Sequence, residues 1–309
     1  MKSVRLGKTD MNVPSIVVGC MRLAGKTKSE MNRFIRAALD RGANYFDHAD
    51  IYGDGQSETV FGDAFAAYPS LRREDVILQS KCGIRKQGAG FYDQSKSYIL
   101  SAVDGILKRL KTDYIDVLLL HRPDALVEPE EVAAAFDLLQ ASGKVRFFGV
   151  SNHRPSQIEL LKKFVKQDLI ANQIQFSLAA SAMIASGMEV NMTTSGAADR
   201  DGSVLDYCRL KDITPQAWSP FQIPAWQGSF LGHDSYAPLN EKIDTLAAKY
   251  QVTPAGIAAA WILRHPANFQ VIAGTSREDR LLGLIAASDI VLTRAEWYEL
   301  YLASGHILP

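Results

Sequence analysis

Four side chains in the N-terminal half of the chain have the chemistry to move a proton: Asp47, Tyr52, Lys81 and His121. Each stands where an apolar run gives out. "NYFDHA" carries Asp47, with Tyr52 in the turn beyond, "VILQSK" ends in Lys81 and "DVLLLH" ends in His121. A lysine or an imidazole behind such runs is expensive to bury without partners, so the residues are expected to satisfy one another. A phenol is a poor proton donor near neutral pH, with a pKa of about 10. A nearby ammonium favours its ionised form, and a carboxylate keeps that ammonium charged. Lowering the phenol by two to three units takes about 3–4 kcal/mol of differential stabilisation, within reach of one close charge in a partly dry pocket. In that arrangement Tyr52 protonates a carbonyl oxygen while hydride reaches the carbon, and His121 orients the carbonyl through a hydrogen bond.

Taken singly, each residue has a plainer role. Asp47 serves as a loop cap, Tyr52 as a packed aromatic, His121 as a satisfied core histidine and Lys81 as a stem that snorkels to water. Their joint occurrence on three successive strands is what structural need alone does not explain. A metal reading of Asp47, His48 and Asp50 is weaker. It has one histidine in an awkward loop spacing and no H-x-H nearby, and no metal is expected.

The elements that must position these residues form a regular alternation. Apolar runs at "SIVVGC", "NYFDHA", "DVILQSK", "DYIDVLLLH", "VRFFGVSN", "LIANQIQF", "DITPQAWSP" and "FQVIAGT" read as eight strands. Helix-period segments fall between them, among them "SEMNRFIRAALDRG", "SETVFGDAFAAY", "SKSYILSAVDGILKRL", "PEEVAAAFDLLQASG" and "RPSQIELLKKFV". Strict alternation implies parallel strands with right-handed crossovers, and eight repeats predict an α/β fold that is a single (β/α)8 TIM barrel over residues 1–309. Gly42 and Gly143 follow amphipathic runs where a left-handed cap is wanted, and Pro155 stands at a helix start. Long connections at 177–202 and 219–238, and a shorter one at 83–94, all follow strand C-termini, the face where barrel active sites are built. By strand alternation, Cys82 points away from its neighbour Lys81.

Composition excludes several other classes. Thirty-four basic residues balance thirty-four acidic ones in 309, so no basic field exists for nucleic acid or an anionic membrane. The cysteines, Cys20, Cys82 and Cys208, are few, odd in number and widely spaced, which argues for reduced thiols and a cytoplasmic setting. The N-terminus has no apolar h-region and no run approaches the roughly 18 apolar residues of a membrane span, so a soluble monomer or small homo-oligomer is expected.

"YFDHADIYG", "LQSK" and "LLLHRPD" resemble the signature motifs of the aldo-keto reductases, and the likeness extends over nearly the whole chain. "DHADIYG", "SKCGI" and "HRPD" look most like the YdhF-type bacterial oxidoreductases. The resemblance puts Asp47, Tyr52, Lys81 and His121 in the four catalytic positions and implies NADPH bound across the barrel mouth. It implies that Ser151 and Asn152 in "GVSNH" and Gln173 in "ANQIQF" hold the carboxamide, and that Trp218 in "AWSP" stacks on the nicotinamide, with Ser219 beside it. No strand-linked G-x-G-x-x-G offers a Rossmann site instead.

The phosphate end of the cofactor is then expected on "IAGTSREDR", where Gly274, Thr275 and Ser276 lead into a helix N-terminus. Arg277 and Arg280, three apart, are expected to share a helix face and reach a 2′-phosphate, and the match of Arg280 to the family favours NADPH over NADH. The plainer reading of this stretch is a capping box between Thr275 and Glu278. Where the family often has Glu-Asn for the adenosine, this chain has Gly283 and Leu284.

The function expected is NADPH-dependent reduction of an aldehyde or ketone, in a pocket walled by Tyr92, Phe176 and Trp226. A cofactor-binding regulatory protein and a metal-dependent barrel hydrolase are the competing classes, since the fold alone does not choose among chemistries.

Overall fold

A computed structural model describes residues 1–67 and 71–309. All eight predicted strands form, as β1 (Ile16–Gly19), β2 (Tyr45–Asp47), β3 (Ile77–Cys82), β4 (Ile115–Leu120), β5 (Val145–Ser151), β6 (Leu169–Gln175), β7 (Thr214–Trp218) and β8 (Gln270–Ala273). They pair in parallel in chain order and β8 closes on β1, giving a closed (β/α)8 barrel.

The predicted helices form as α1 (Lys28–Leu39), α2 (Gln56–Ala66), α3 (Lys96–Leu110), α4 (Pro129–Ala141) and α5 (Pro155–Lys162). Tyr68, the last residue of the predicted second helix, lies outside the described residues. Gly42 and Gly143 take the left-handed conformation expected of them, with φ of 78° and 71°. Thr27 and Glu30 close a capping box on α1, and Ser95 caps α3.

The core has two layers. Between sheet and helices lie Phe46, Leu78, Cys82 and the stacked pair Phe136–Phe148, so Cys82 does face outward. Inside the barrel, Val17, Tyr45, Val117, Leu119 and Ala171 meet Val4, Leu6 and Val13 from an N-terminal hairpin (Ser3–Arg5 with Asn12–Pro14). That hairpin closes the end of the barrel opposite the strand C-termini. Its strands are too short to show period-two patterning, and the sequence reading missed it. At Gly149 an added Cβ would stand 2.7 Å from both Leu119 Cδ2 and the Ala171 carbonyl oxygen, so only glycine lets β5 close against its neighbours here.

The long connections carry local structure at the mouth. Residues 83–94 fold back as a hairpin (Ile84–Arg85 with Phe91–Tyr92), and 177–202 holds the short helix α6 (Ala182–Met188) and a 3-10 turn (Ser195–Ala197); α7 (Val204–Leu210), α8 (Ala237–Tyr250) and α9 (Pro254–Arg264) follow. Phe176 does not reach the mouth as expected. It is fully buried and stacks on Trp261 and Phe269, because it sits on the helix-facing side of its strand. Tyr92 and Trp226 are exposed loop residues. Among the described residues no helix is long and apolar enough to cross a membrane.

Candidate active site

Parallel register sets the heights of the reactive groups. Asp47 lies opposite Gln79 and Lys81 opposite Leu119, so Ile77, Gln79 and Lys81 point inward in succession and Lys81 is one inward step nearer the mouth than Asp47. Beyond β2 the chain keeps leaning on β3: His48 donates its N–H to the Gln79 carbonyl and Asp50 to that of Lys81. Tyr52 then opens a tight turn in which Gly53, Asp54 and Gly55 are all left-handed. Lys86, from the hairpin, donates to the Ile51 carbonyl at 3.0 Å and to Asp54 at 2.6 Å, and the Tyr98 hydroxyl donates to Asp50 at 2.8 Å.

These constraints bring the four predicted residues together. Lys81 Nζ donates to Asp47 Oδ2 at 2.8 Å, to the His48 carbonyl at 2.7 Å and to Tyr52 Oη at 3.1 Å, which uses all three of its protons. The Lys81 and Asp47 side chains are 0% and 2% exposed. The His121 ring meets the Tyr52 ring edge-on at 5.9 Å.

Burial presses the Lys81 ammonium down, but Asp47 and Tyr52 outweigh it and hold its pKa above the usual lysine value. For Tyr52 the balance is the reverse of the sequence expectation. Burial raises the phenol, and the Lys81 charge offsets only part of that. His121 is kept neutral by burial and by Lys81 and Arg122, and its Nδ1 is buried with no partner.

His48 and Asp50 turn elsewhere. His48 is fully buried against Phe61, both ring nitrogens are unpartnered, and burial and Lys81 push its pKa down to about 3. Asp50 is raised to about 6, chiefly by burial. With Asp47 facing Lys81, the three side chains of the weighed metal cluster do not converge.

The residues expected to hold a carboxamide cluster next to the four. Ser151 Oγ donates to the Gln173 carbonyl at 2.9 Å, and Asn152 Nδ2 donates to Ser151 Oγ at 2.8 Å. Asn152 Oδ1 accepts the Trp218 indole N–H at 2.9 Å, which fixes the plane of a ring that also stacks on Trp226. Asn152 and Ser219 are left-handed, with φ of 60° and 49°, a strain that collects at functional sites. Gln173 spends its amide nitrogen on Asp47 (3.1 Å) and Gln216 (3.2 Å), so its oxygen is the atom available to a ligand. This set suits a primary carboxamide, which offers two N–H donors and one carbonyl oxygen.

At the other end of the mouth, helix α10 is Glu278–Ala287 and begins later than the sequence suggested. Thr275 accepts from the Arg277 N–H instead of closing a box with Glu278. Arg277 is the extended cap residue, shares no helix face with Arg280, and is paired with Asp279 at 2.5 Å. The Arg280 side chain is exposed and makes no hydrogen bond or ion pair among the described residues. Gly274 has open space where a side chain would be, and no N-cap side chain closes α10; the Asp279 carboxylate itself accepts from the Asp279 and Arg280 N–H groups of the first turn.

The sequence reading passed over Gln79 and Gln216. Both are lone amides in apolar strands, and sharing inward parity with Lys81 was the signal available.

A parallel barrel whose strand ends gather a lysine, a tyrosine, an aspartate and a histidine beside a carboxamide-shaped polar set belongs to the barrel oxidoreductases. The chain is a member of the Aldo/keto reductase family, whose profile matches residues 15–301. It is 32% identical to "6-dehydroglucose reductase" of Agrobacterium fabrum over 94% of both chains. It is also 32% identical to "Oxidoreductase YdhF" of Escherichia coli, over 95% of this chain and 94% of that one. An aldo/keto reductase from Klebsiella pneumoniae, solved in complex with NADP and acetate, superposes with a TM-score of 0.78 at 26% identity, covering 100% of this chain and 97% of that one. Together these support carbonyl reduction with a nicotinamide cofactor as the general activity.

Proposed function

We propose that the protein reduces an aldehyde or ketone to the alcohol with NADPH, with Tyr52 as the general acid. The observation that carries this reading is the 3.1 Å contact between Tyr52 Oη and a Lys81 ammonium that is itself buried on Asp47. When bound, the cofactor supplies hydride to the carbonyl carbon; Gln173, Asn152 and Ser151 would hold its carboxamide, Trp218 and Ser219 its ring, and Gly274, Thr275, Ser276, Arg277 and Arg280 its phosphates. The phosphate end favours NADPH because Arg280 is a cation without a partner beside a helix start.

The raised phenol pKa suits the role. Tyr52 arrives protonated, and an alkoxide forming on the substrate oxygen is far more basic than any phenolate. The proton therefore moves as charge develops, and the phenolate left behind is stabilised by Lys81. That stabilisation exists only once the proton has begun to leave, which is when it lowers the barrier. His121 donates to the same oxygen as a neutral imidazole. A proton on Nε2 leaves the buried Nδ1 with a lone pair, where the other tautomer would strand a donor. Tyr92 and Trp226 are exposed and fix no substrate class, and the similarity to a 6-dehydroglucose reductase makes keto sugars the first compounds to assay.

The test is single-turnover oxidation of NADPH with a panel of sugar, aliphatic and aromatic carbonyls. Tyr52→Phe should bind NADPH with unchanged Kd and lose about 10²–10⁴-fold in kcat. Unchanged turnover would remove Tyr52 from this role.

A further inference from the structure

Beneath the proposed proton donor, the barrel interior holds glutamines that the activity does not account for: Gln79 on β3, Gln216 on β7 and Gln270 on β8, all fully buried. Each is an amide, which can be turned either way round, yet their hydrogen bonds permit one direction only. Gln270 Nε2 donates to the Pro14 carbonyl at 2.7 Å. A carbonyl can only accept, so Gln270 must present its oxygen to Gln216, whose Nε2 donates to it at 2.9 Å. Gln216 therefore turns its own oxygen to Gln79 and Gln173, whose Nε2 atoms donate to it at 2.9 and 3.2 Å. Those two nitrogens have their second proton left for Asp47 Oδ1, reached at 2.6 Å from Gln79 and 3.1 Å from Gln173. Gln216 Nε2 spends its other proton on Gln79 Oε1 at 3.1 Å, and the Tyr45 hydroxyl donates to the same oxygen at 2.8 Å.

We propose that Gln270, Gln216 and Gln79 form a directional amide relay that aims two N–H groups at Asp47, making Gln79 and Gln216 positioning residues for the reduction. The proposal rests on the reading of Tyr52, Lys81 and Asp47 given above. Asp47 Oδ2 is taken by Lys81, and among the described residues its other oxygen is held only by this relay and by Gln173. Were Gln79 to turn over, its oxygen would face the carboxylate and push Asp47 out of line with Lys81. The polarity of the chain is set at both ends by groups that only accept, the Asp47 carboxylate and, at the closed end of the barrel, the Pro14 carbonyl of the N-terminal hairpin. The relay thus ties the hairpin to the reacting end and gives the hairpin a part in catalysis besides closing the fold.

The experiment compares Gln79→Met, Gln270→Met, their double variant and Gln270→Glu in the full chain, with NADPH Kd, single-turnover kcat and thermal unfolding measured on each. Gln79→Met, close to isosteric and without a donor, should lower kcat about tenfold or more with little change in Kd for NADPH. Gln270→Met, which touches no reacting group, should lower kcat in the same direction, and the double variant should fall no further than Gln79→Met because both act through one path. Glutamate at 270 still accepts from Gln216, so Gln270→Glu should keep kcat within about twofold of the parent while losing more stability than Gln270→Met, since it puts an acid against a carbonyl. That inverted order is what a merely structural role would not give. If kcat follows unfolding temperature in both 270 variants, or the losses simply add, the relay is wrong. Should Gln79→Met fail to fold, the two 270 variants decide the matter alone. Tyr52→Phe measured alongside separates the two failures: an active Tyr52→Phe sinks the reading of the site, whereas an inactive one with unaffected glutamine variants sinks only the relay.

Discussion

The two ends of the barrel mouth are built on opposite principles. At the β2–β4 end the buried ion pair is held before any ligand arrives: Lys81 has three acceptors, Asp47 receives Lys81 and two amides, and both are sealed from water. At the β8 end Gly274 stands in open space, Arg277 is engaged with a neighbouring carboxylate and Arg280 is free. Proton transfer gains from groups that need no reorganisation as charge develops. A phosphate brings its own charge and needs only donors within reach, so an exposed loop and a helix start suffice. The difference is between a site that is finished and one that the ligand completes.

If so, damage at the finished end should be large and should reach stability as well as rate. Lys81→Met removes the ammonium proposed to stabilise the departing phenolate and leaves Asp47 buried with its amide partners. Turnover should fall by about 10²–10⁴-fold. Unfolding free energy should drop by about 3–5 kcal/mol, the usual cost of breaking a buried pair from one side. Denaturant unfolding beside single-turnover kinetics checks both. A variant that loses rate yet keeps its stability would mean that the pair is less sealed than its geometry indicates.

The same contrast explains what could be read from the sequence. Strand ends were legible because a fully buried parallel strand is an unbroken apolar run, and Lys81 and His121 interrupt such runs where nothing but a partner justifies them. Asp47 and Tyr52 were legible by their place after β2. The direction of the Tyr52 shift was not, because it depends on how completely Lys81 and its neighbours exclude water, a property of packing that the sequence does not print. Phe176 was misplaced for a related reason: at a strand's last residue, alternation decides between mouth and helix layer, and the strand's end was read one residue long. In the β8 loop, "TSREDR" offers Thr275 and Arg277 as equally good helix caps by spacing, and only the coordinates show that the backbone of Arg277 takes the cap and its guanidinium takes Asp279.

The open end should respond in smaller steps and in binding only. Arg280→Ala should weaken NADPH about tenfold or more, the worth of one charge-assisted contact, while NADH binding stays within about twofold. Fluorescence titration with the two cofactors measures this. Equal weakening of both would assign Arg280 to the helix surface and leave the proposed preference for NADPH without a residue.

The smallest effect tests the contrast most finely, because it should be a gain. Asp279 holds Arg277 through two contacts, at 3.0 and 2.5 Å, and sits on the first turn of α10 where a phosphate would meet the helix. Asp279→Asn keeps the shape but removes a negative charge from that approach and releases the guanidinium. An exposed pair of this kind contributes little to stability, so little is lost in breaking it. NADPH should then bind about two- to fivefold tighter, with NADH nearly unmoved and kcat for the bound complex unchanged. A loop already finished, like the other end, would be disordered by the change and would bind more weakly. Tightening confined to the phosphorylated cofactor is the outcome expected of a loop whose arginine is held in reserve by its own neighbour.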